Sequence, residues 1–220
     1  MLVALVSLVG SPAFAVSTSL MIDDFSVVQE IAQSGPGAHS NTNTVLSGAL
    51  LGGSRKLSLD SNIFAIDSVN SRIMAGVANY ESGPLSSGMQ KYEYNGNGLG
   101  LGNLLAGVSM FSLDLTTFNA GTFAPTIISL IANDGADHLI GSHSLNDLST
   151  APQTLNFDPS ASGVNFNSLA WLRLEFDSTT AKGADFTVSD FRATVPEPLL
   201  VNVAWMLALG GVGLLRARRK

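Results

Sequence analysis

Few residues in this 220-residue chain have the type and spacing to do chemistry, and most of those are carboxylates. Asp23-Asp24-Phe25 stands in the first predicted strand and Asp190-Phe191-Arg192 in the last, with Asp185 close by. If the terminal strands lie side by side, Asp23, Asp24, Asp185 and Asp190 approach one another. An oxygen-rich group of that kind suits a structural Ca²⁺, which takes about 6–8 hard ligands. The competing reading is aspartates that face solvent, with Arg192 paired to one of them. Asp134, Asp137, His138 and His143 form a second group around the predicted turn Asn133-Asp134-Gly135. Their spacing matches no standard zinc set, and Asp and Asn are expected there as turn formers. His39 falls in a Ser/Gly/Asn stretch that reads as a loop. Catalytic signatures are missing: the chain has no cysteine, and no Gly-x-Ser-x-Gly or His-Glu-x-x-His occurs. Gly96, Gly98, Gly100 and Gly102 spell part of a phosphate loop, but no helix is predicted after them to supply free N–H groups. A carboxylate pair for glycoside hydrolysis would have to be picked from 16 scattered acids with nothing to select it. Catalysis therefore ranks below binding.

The binding candidate is Trp171. It shares a predicted strand face with Arg173 and Glu175, opposite Leu172 and Leu174, while Tyr92 and Tyr94 share another face. An indole flanked by charges offers a sugar ring an apolar platform with polar partners. The plainer alternative is an aromatic packed under a loop or at a sheet edge. Ice binding would need a flat, repeating Thr array, and only Asn41-Thr42-Asn43-Thr44 and Thr116-Thr117 hint at one.

The elements that position these residues read as strands. Period-two alternation is cleanest over Phe111–Thr116 and Ala170–Phe176, and Leu155 and Phe157 repeat it up to Asp158-Pro159. Weaker strand signals cover Met21–Val28, Thr44–Leu51, Lys56–Asp60, Asn62–Val69, Arg72–Ala78 and Gln90–Tyr94. Pro125–Asn133 is nearly continuous and apolar, and a hairpin leads from it into Asp137–Gly141. In the last strand Phe186 and Val188 share one phase, Phe191 and Ala193 the other, which predicts a β-bulge at Ser189-Asp190 serving two faces. Residues 96–107 read as a long glycine-rich loop. The expected fold is an all-β, two-sheet antiparallel sandwich of the jelly-roll kind, with an immunoglobulin-like topology second.

Both ends are apolar and stand apart from this fold. Leu2–Val9 followed by Ala13-Phe14-Ala15 resembles a signal peptide, although no Lys or Arg precedes Arg55. Residues 1–15 are expected to be the leader and 16–195 the passenger. Residues 196–220 read Pro196-Glu197-Pro198, an uncharged Leu199–Leu215, then Arg216, Arg218, Arg219 and Lys220. As a helix the apolar part spans about 25 Å, slightly less than a hydrocarbon core, and the basic cluster keeps the C-terminus cytoplasmic. This three-part tail, flush with the terminus, resembles the PEP-CTERM sorting signal of Gram-negative bacteria; Asn202 within the span departs from a purely apolar segment. The resemblance covers about residues 195–220. It implies export through the Sec machinery, a transient or permanent anchor in the inner membrane, recognition of Pro196, Glu197 and Pro198 by an exosortase, and Arg216, Arg218, Arg219 and Lys220 as stop-transfer anchor. The destination it implies is the cell surface or exopolysaccharide matrix.

Without leader and tail the passenger keeps 7 Lys plus Arg against 16 Asp plus Glu, a formal −9. Such a surface disfavours nucleic acid. With no cysteine there are no disulfides, so stability must come from one core. In its terminal carboxylates the passenger loosely resembles jelly-roll carbohydrate-binding modules, which implies a structural Ca²⁺ and exopolysaccharide as a ligand. The expectation is an exported, non-catalytic structural or adhesive sandwich. Alternatives are a carbohydrate-binding module with calcium, an enzyme acting on matrix polysaccharide, and an ice-binding protein.

Overall fold

The computed structural model describes residues 17–95, 101–119, 121–122, 125–147 and 152–196. The expected leader, residues 1–15, lies outside them, as do Glu197, Pro198, the Leu199–Leu215 span, Arg216, Arg218, Arg219 and Lys220. Among the described residues no helix is long and apolar enough to cross a membrane. Ser19–Val195 forms one compact unit.

Alternation along the chain translates into strands whose odd and even residues face opposite sides. In chain order these are β1 (Ser17–Asp23), β2 (Gln29–Ser34), β3 (Gly37–Leu46), β4 (Ser54–Ile63), β5 (Ser68–Met74), β6 (Val77–Ser82) and β7 (Ser87–Asn95). They continue with β8 (Met110–Asn119), β9 (Ile127–Asn133), β10 (Asp137–Ser144), β11 (Gln153–Phe157), β12 (Trp171–Asp177) and β13 (Asp185–Pro196). One sheet, here sheet I, has the order β11-β8-β13-β6-β5-β2, with β1 also on β13; sheet II has β10-β9-β12-β7-β4-β3. Every pairing with a described register is antiparallel.

The pairings show how the chain winds. β2–β3 runs beside β5–β4, β6–β7 beside β13–β12, and β8–β9 beside β11–β10, each ribbon crossing from one sheet to the other. Ribbons folded across two sheets in this way are the winding of a jelly roll. Inner faces supply the core: Leu57 and Leu59 from β4, Leu172, Leu174 and Phe176 from β12, Phe111, Leu113 and Leu115 from β8. Phe176 stacks on Phe186 at 4.6 Å and Phe186 on Tyr80 at 5.0 Å, joining the two sheets through aromatic contacts.

Several expected boundaries move, each for a local reason. The Met21–Val28 signal ends at Asp23, because Phe25 takes a φ of 53° and turns the chain. Thr44–Leu51 is split by a turn after Leu46; the strand lies upstream instead, so His39, expected in a loop, sits in β3. Lys56–Asp60 and the start of Asn62–Val69 are one strand, β4, and Arg72–Ala78 is interrupted at Ala75-Gly76. Leu101–Leu105 is a short helix, α1, inside the expected glycine-rich loop, whose residues 96–100 lie outside the described ones. The bulge in β13 is present: register against β8 shifts between Ser189 and Phe191, and Asp190 has a φ of 46°. Its effect differs from expectation. Phe186, Val188, Phe191 and Ala193 are all buried, so the extra residue keeps both halves of the strand on the core instead of serving two faces.

Candidate functional site

The terminal carboxylates come first. β1 and β13 do pair, yet the four aspartates find separate partners. Asp23 is fully buried and bound to the equally buried Arg55; its other donors are the Tyr94 hydroxyl at 2.9 Å and the Phe25 N–H at 2.7 Å. Burial pushes the Asp23 carboxyl up, with the Arg55 charge and these hydrogen bonds pulling the other way. Arg55 also donates through Nε to Gln29 at 2.9 Å and through Nη2 to the Val27 carbonyl. Asp24 accepts from the Ser26 N–H, and hydrogen bonding by the Ser26 hydroxyl first and by that N–H second holds its carboxyl below the usual range. Asp185 accepts from the Ser82 N–H at 3.1 Å, and Asp190 sits at the bulge. Arg192, expected to pair with one of these, pairs with Asp114 at 2.7 Å. Among the described residues no three His, Cys, Asp or Glu side chains converge on a metal position. The donors at Asp23 are a guanidinium, a hydroxyl and a backbone N–H, which suit a carboxylate in an ion pair rather than a cation site.

Arg55 is the residue that the sequence reading missed. It stands in phase with Leu57, Leu59 and Ile63 on the inner face of β4, and that alternation was the available signal. The same holds for Gln90, in phase with Tyr92 and Tyr94. Both tyrosines are fully buried and packed on Phe25, Phe176 and Phe191, so their shared face is the core face. Burial pushes the Tyr92 and Tyr94 hydroxyls well up and that of Tyr80 to about 12. The Tyr80 hydroxyl accepts from Ser178 at 2.9 Å, close to Gly88, where any side chain would collide with it.

The β9–β10 hairpin separates its group. His138 bonds Asp134 at 3.0 Å, and Asp134, whose carboxyl is held down first by the Asn165 N–H, serves as a turn anchor. His143 instead bonds the Asn156 carbonyl and meets the Phe157 ring edge-on. Asp137 accepts from the Asn133 amide at 2.6 Å and lies 3.9 Å from Arg173.

That arginine leads to the outer face of sheet II. Leu172, Leu174 and Phe176 point inward, which leaves Trp171, Arg173 and Glu175 outward and half-buried, the face expected from alternation. The Arg173 guanidinium lies 4.5 Å from the Trp171 ring centroid, a cation–π contact. Three carboxylates surround it as ion pairs, Glu175 at 3.4 Å, Glu93 at 3.7 Å and Asp137 at 3.9 Å, while its buried Nε makes no hydrogen bond among the described residues. Register places Asn95 of β7 on one side of Trp171 and Asn133 of β9 on the other. Each amide already donates one N–H within the protein, Asn95 to Glu93 at 3.2 Å and Asn133 to Asp137 at 2.6 Å, so the second N–H of each, beside the indole, is what a ligand can use. Toward the far end of the same sheet a hollow of about 480 Å³ is lined by Ser40, Asp60, Asn62 and Thr179 among others.

The outer face of sheet I is different in kind. Among the described residues it has no exposed aromatic at its centre, and two adjoining hollows of about 410 and 320 Å³ share Asn70, Asn79 and Glu81.

No family model and no curated protein matches the chain. Among solved structures it is similar to the family 11 carbohydrate-binding module of the cellulosomal cellulase Lic26A-Cel5E of Clostridium thermocellum: 13% identity, covering 81% of this chain and 95% of that one, TM-score 0.38. A structure of the Clostridium thermocellum family 11 module with a β-1,3-1,4-mixed-linked tetrasaccharide matches at 12% identity, 80% and 94% coverage and TM-score 0.37. A structure titled as CBM4 matches at 9% identity, 58% and 75% coverage and TM-score 0.34. Superposition at this level is loose, and the winding of the strands stands on their own pairing.

Proposed function

We propose that this chain is an exported, non-catalytic β-sandwich that adheres to polysaccharide at the cell surface or in the exopolysaccharide matrix, gripping it on the outer face of sheet II. The observation that carries the reading is Trp171, outward on β12, stacked with Arg173 and flanked by Asn95 and Asn133. The charges of Glu93, Glu175 and Asp137 favour the place of Arg173 on the indole, which reduces the side-chain freedom lost when a sugar ring settles there. Delivery rests on the sequence: a leader-like start and the tail of Pro196, Glu197, Pro198, an apolar span and a basic end support export, exosortase sorting and release.

Affinity electrophoresis against purified neutral polysaccharides tests the grip. The native protein is retarded more strongly than Trp171→Ala, with both showing the same thermal melt; equal retardation of the two ends the Trp171 reading. Intact mass of the protein from the host's matrix tests delivery. A chain ending near Val195–Pro198 supports processing, whereas one that keeps Leu199–Lys220 and stays in membranes supports a permanent anchor. Reducing-end release from the same polysaccharides would mark an enzyme instead.

A further inference from the structure

We propose that the outer face of sheet I is a second polysaccharide-binding face, so that one molecule bridges two polymer chains. This rests on the reading of the Trp171 face as the first.

The two hollows on sheet I join through Asn70, Asn79 and Glu81 into one trough. It crosses β2, β5, β6, β13 and β8, from Glu30 to Thr117. Five neighbouring strands give it a length of about 19 Å at right angles to the chain direction, enough for an oligosaccharide stretch. Its floor is polar. Register puts Asn70 opposite Glu81 and Glu81 opposite Asp185 in one row, and Arg72 opposite Asn79 and Asn79 opposite Thr187 in the next.

Two of these groups are already oriented. The Thr187 hydroxyl donates to Asn79 Oδ1 at 2.8 Å, which turns the Asn79 amide N–H₂ away from that contact and leaves it for a ligand. The Ser82 N–H holds Asp185 Oδ1 at 3.1 Å, and Asp185 Oδ2 remains an acceptor. Glu81 and Asp185 also face each other directly across the strands, and among the described residues neither takes part in an ion pair. Like charges directly opposite in a sheet are destabilising. A fold with no use for them on that face would gain by replacing one.

Fixed amides, carboxylates and hydroxyls in rows can donate to and accept from sugar hydroxyls. The local excess of acid, Glu30, Glu81 and Asp185 against Arg72, repels anionic polymers, so the ligand class is an uncharged polysaccharide. The two outer faces lie on opposite sides of a core about 10 Å thick between sheets. Both can therefore be occupied at once, and a protein with two such faces cross-links polymer.

The test uses the secreted protein with laminarin as neutral probe and alginate as anionic control, reading retardation and light scattering. Native protein is expected to be retarded by laminarin, to scatter strongly near equivalence and to clear in excess polymer. Asn70→Ala with Asn79→Ala keeps retardation through Trp171 and loses the scattering; Trp171→Ala behaves likewise through the other face; all three together abolish retardation. Glu81→Gln, which removes the repulsion and keeps the hydrogen-bonding shape, retains cross-linking and guards against a folding defect in the alanine variant. If laminarin retards the native protein but Asn70→Ala/Asn79→Ala scatters undiminished, or Trp171→Ala alone abolishes retardation, the second face is refuted and the first stands. No retardation by neutral polymer, or preference for alginate, overturns both.

Discussion

Arg55 is the residue with the most at stake in the folded chain. Its guanidinium is wholly buried and is satisfied only by Asp23, Gln29 and the Val27 carbonyl. Removing one member of a buried pair strands the other charge, at a cost of about 3–5 kcal/mol. Arg55→Met is expected to lower stability by that amount in urea unfolding. Arg55→Met combined with Asp23→Leu is expected to regain a large part of it, since no charge is then left inside. A pair of singles and a double whose effects simply add would show that Asp23 and Arg55 act independently. Trp171 obeys the opposite logic: it is half-exposed, and its loss touches the surface more than the core. Alternation alone identified the outward face of Trp171. Arg55 lay one residue outside the weak Lys56–Asp60 signal; extending that alternation puts it inward, but an arginine is disbelieved at such a position until its partner is known, and that partner stands 32 residues earlier.

Strands were legible where one face is apolar and the other polar, as in β8, β11 and β12. Turns were legible where their residues announce them. The β9–β10 hairpin carries Asn133-Asp134-Gly135, whereas β5 and β6 are joined by Ala75-Gly76, two residues with φ of 57° and 81°. Two consecutive positive φ values are those of a type I′ hairpin, which favours Asn-Gly. Alanine hides the turn from the sequence because it is a poor choice there, with a strained left-handed backbone. Ala75→Asn is therefore expected to stabilise by about 0.5–1 kcal/mol, seen as a raised thermal midpoint; a lowered one would show that the Ala75 methyl packs usefully. The β13 bulge was legible from its phase change. A second irregularity, where register shifts between Thr187 and Val188 and the Thr116 hydroxyl bonds the Thr187 carbonyl, leaves no such mark, since both flanks carry threonines.

At the scale of the whole molecule, all three tyrosines of the chain are buried between the sheets. Their hydroxyls are raised by desolvation, that of Tyr80 from 10.0 to about 12. A group whose ionisation is raised by folding contributes in full below its unfolded value and loses that contribution as pH climbs to its folded one. Stability is thus expected to hold up to about pH 10 as far as these groups are concerned, then to fall steeply toward pH 12. Phenolate absorbance should appear together with loss of the β-sheet circular dichroism signal. Phenolate formed near pH 10 with the sheets intact would mean that the tyrosines are open to solvent.

The sequence by itself determined the class of fold, because period-two burial is a local property that each strand writes into its own residues. It likewise determined the outward face of Trp171 and the bulge in β13. Apart from the β9–β10 hairpin, it could not determine which strands lie side by side, since hydrogen bonds along a strand edge carry no sequence signature. Tertiary structure decided that. The ribbon winding brought Asp23 to Arg55 instead of to Asp185 and Asp190, set Asn95 and Asn133 on either side of Trp171, and laid Asn70, Asn79 and Glu81 along one trough. Sites on this molecule are made across strands, and a chain read residue by residue contains only what runs along them.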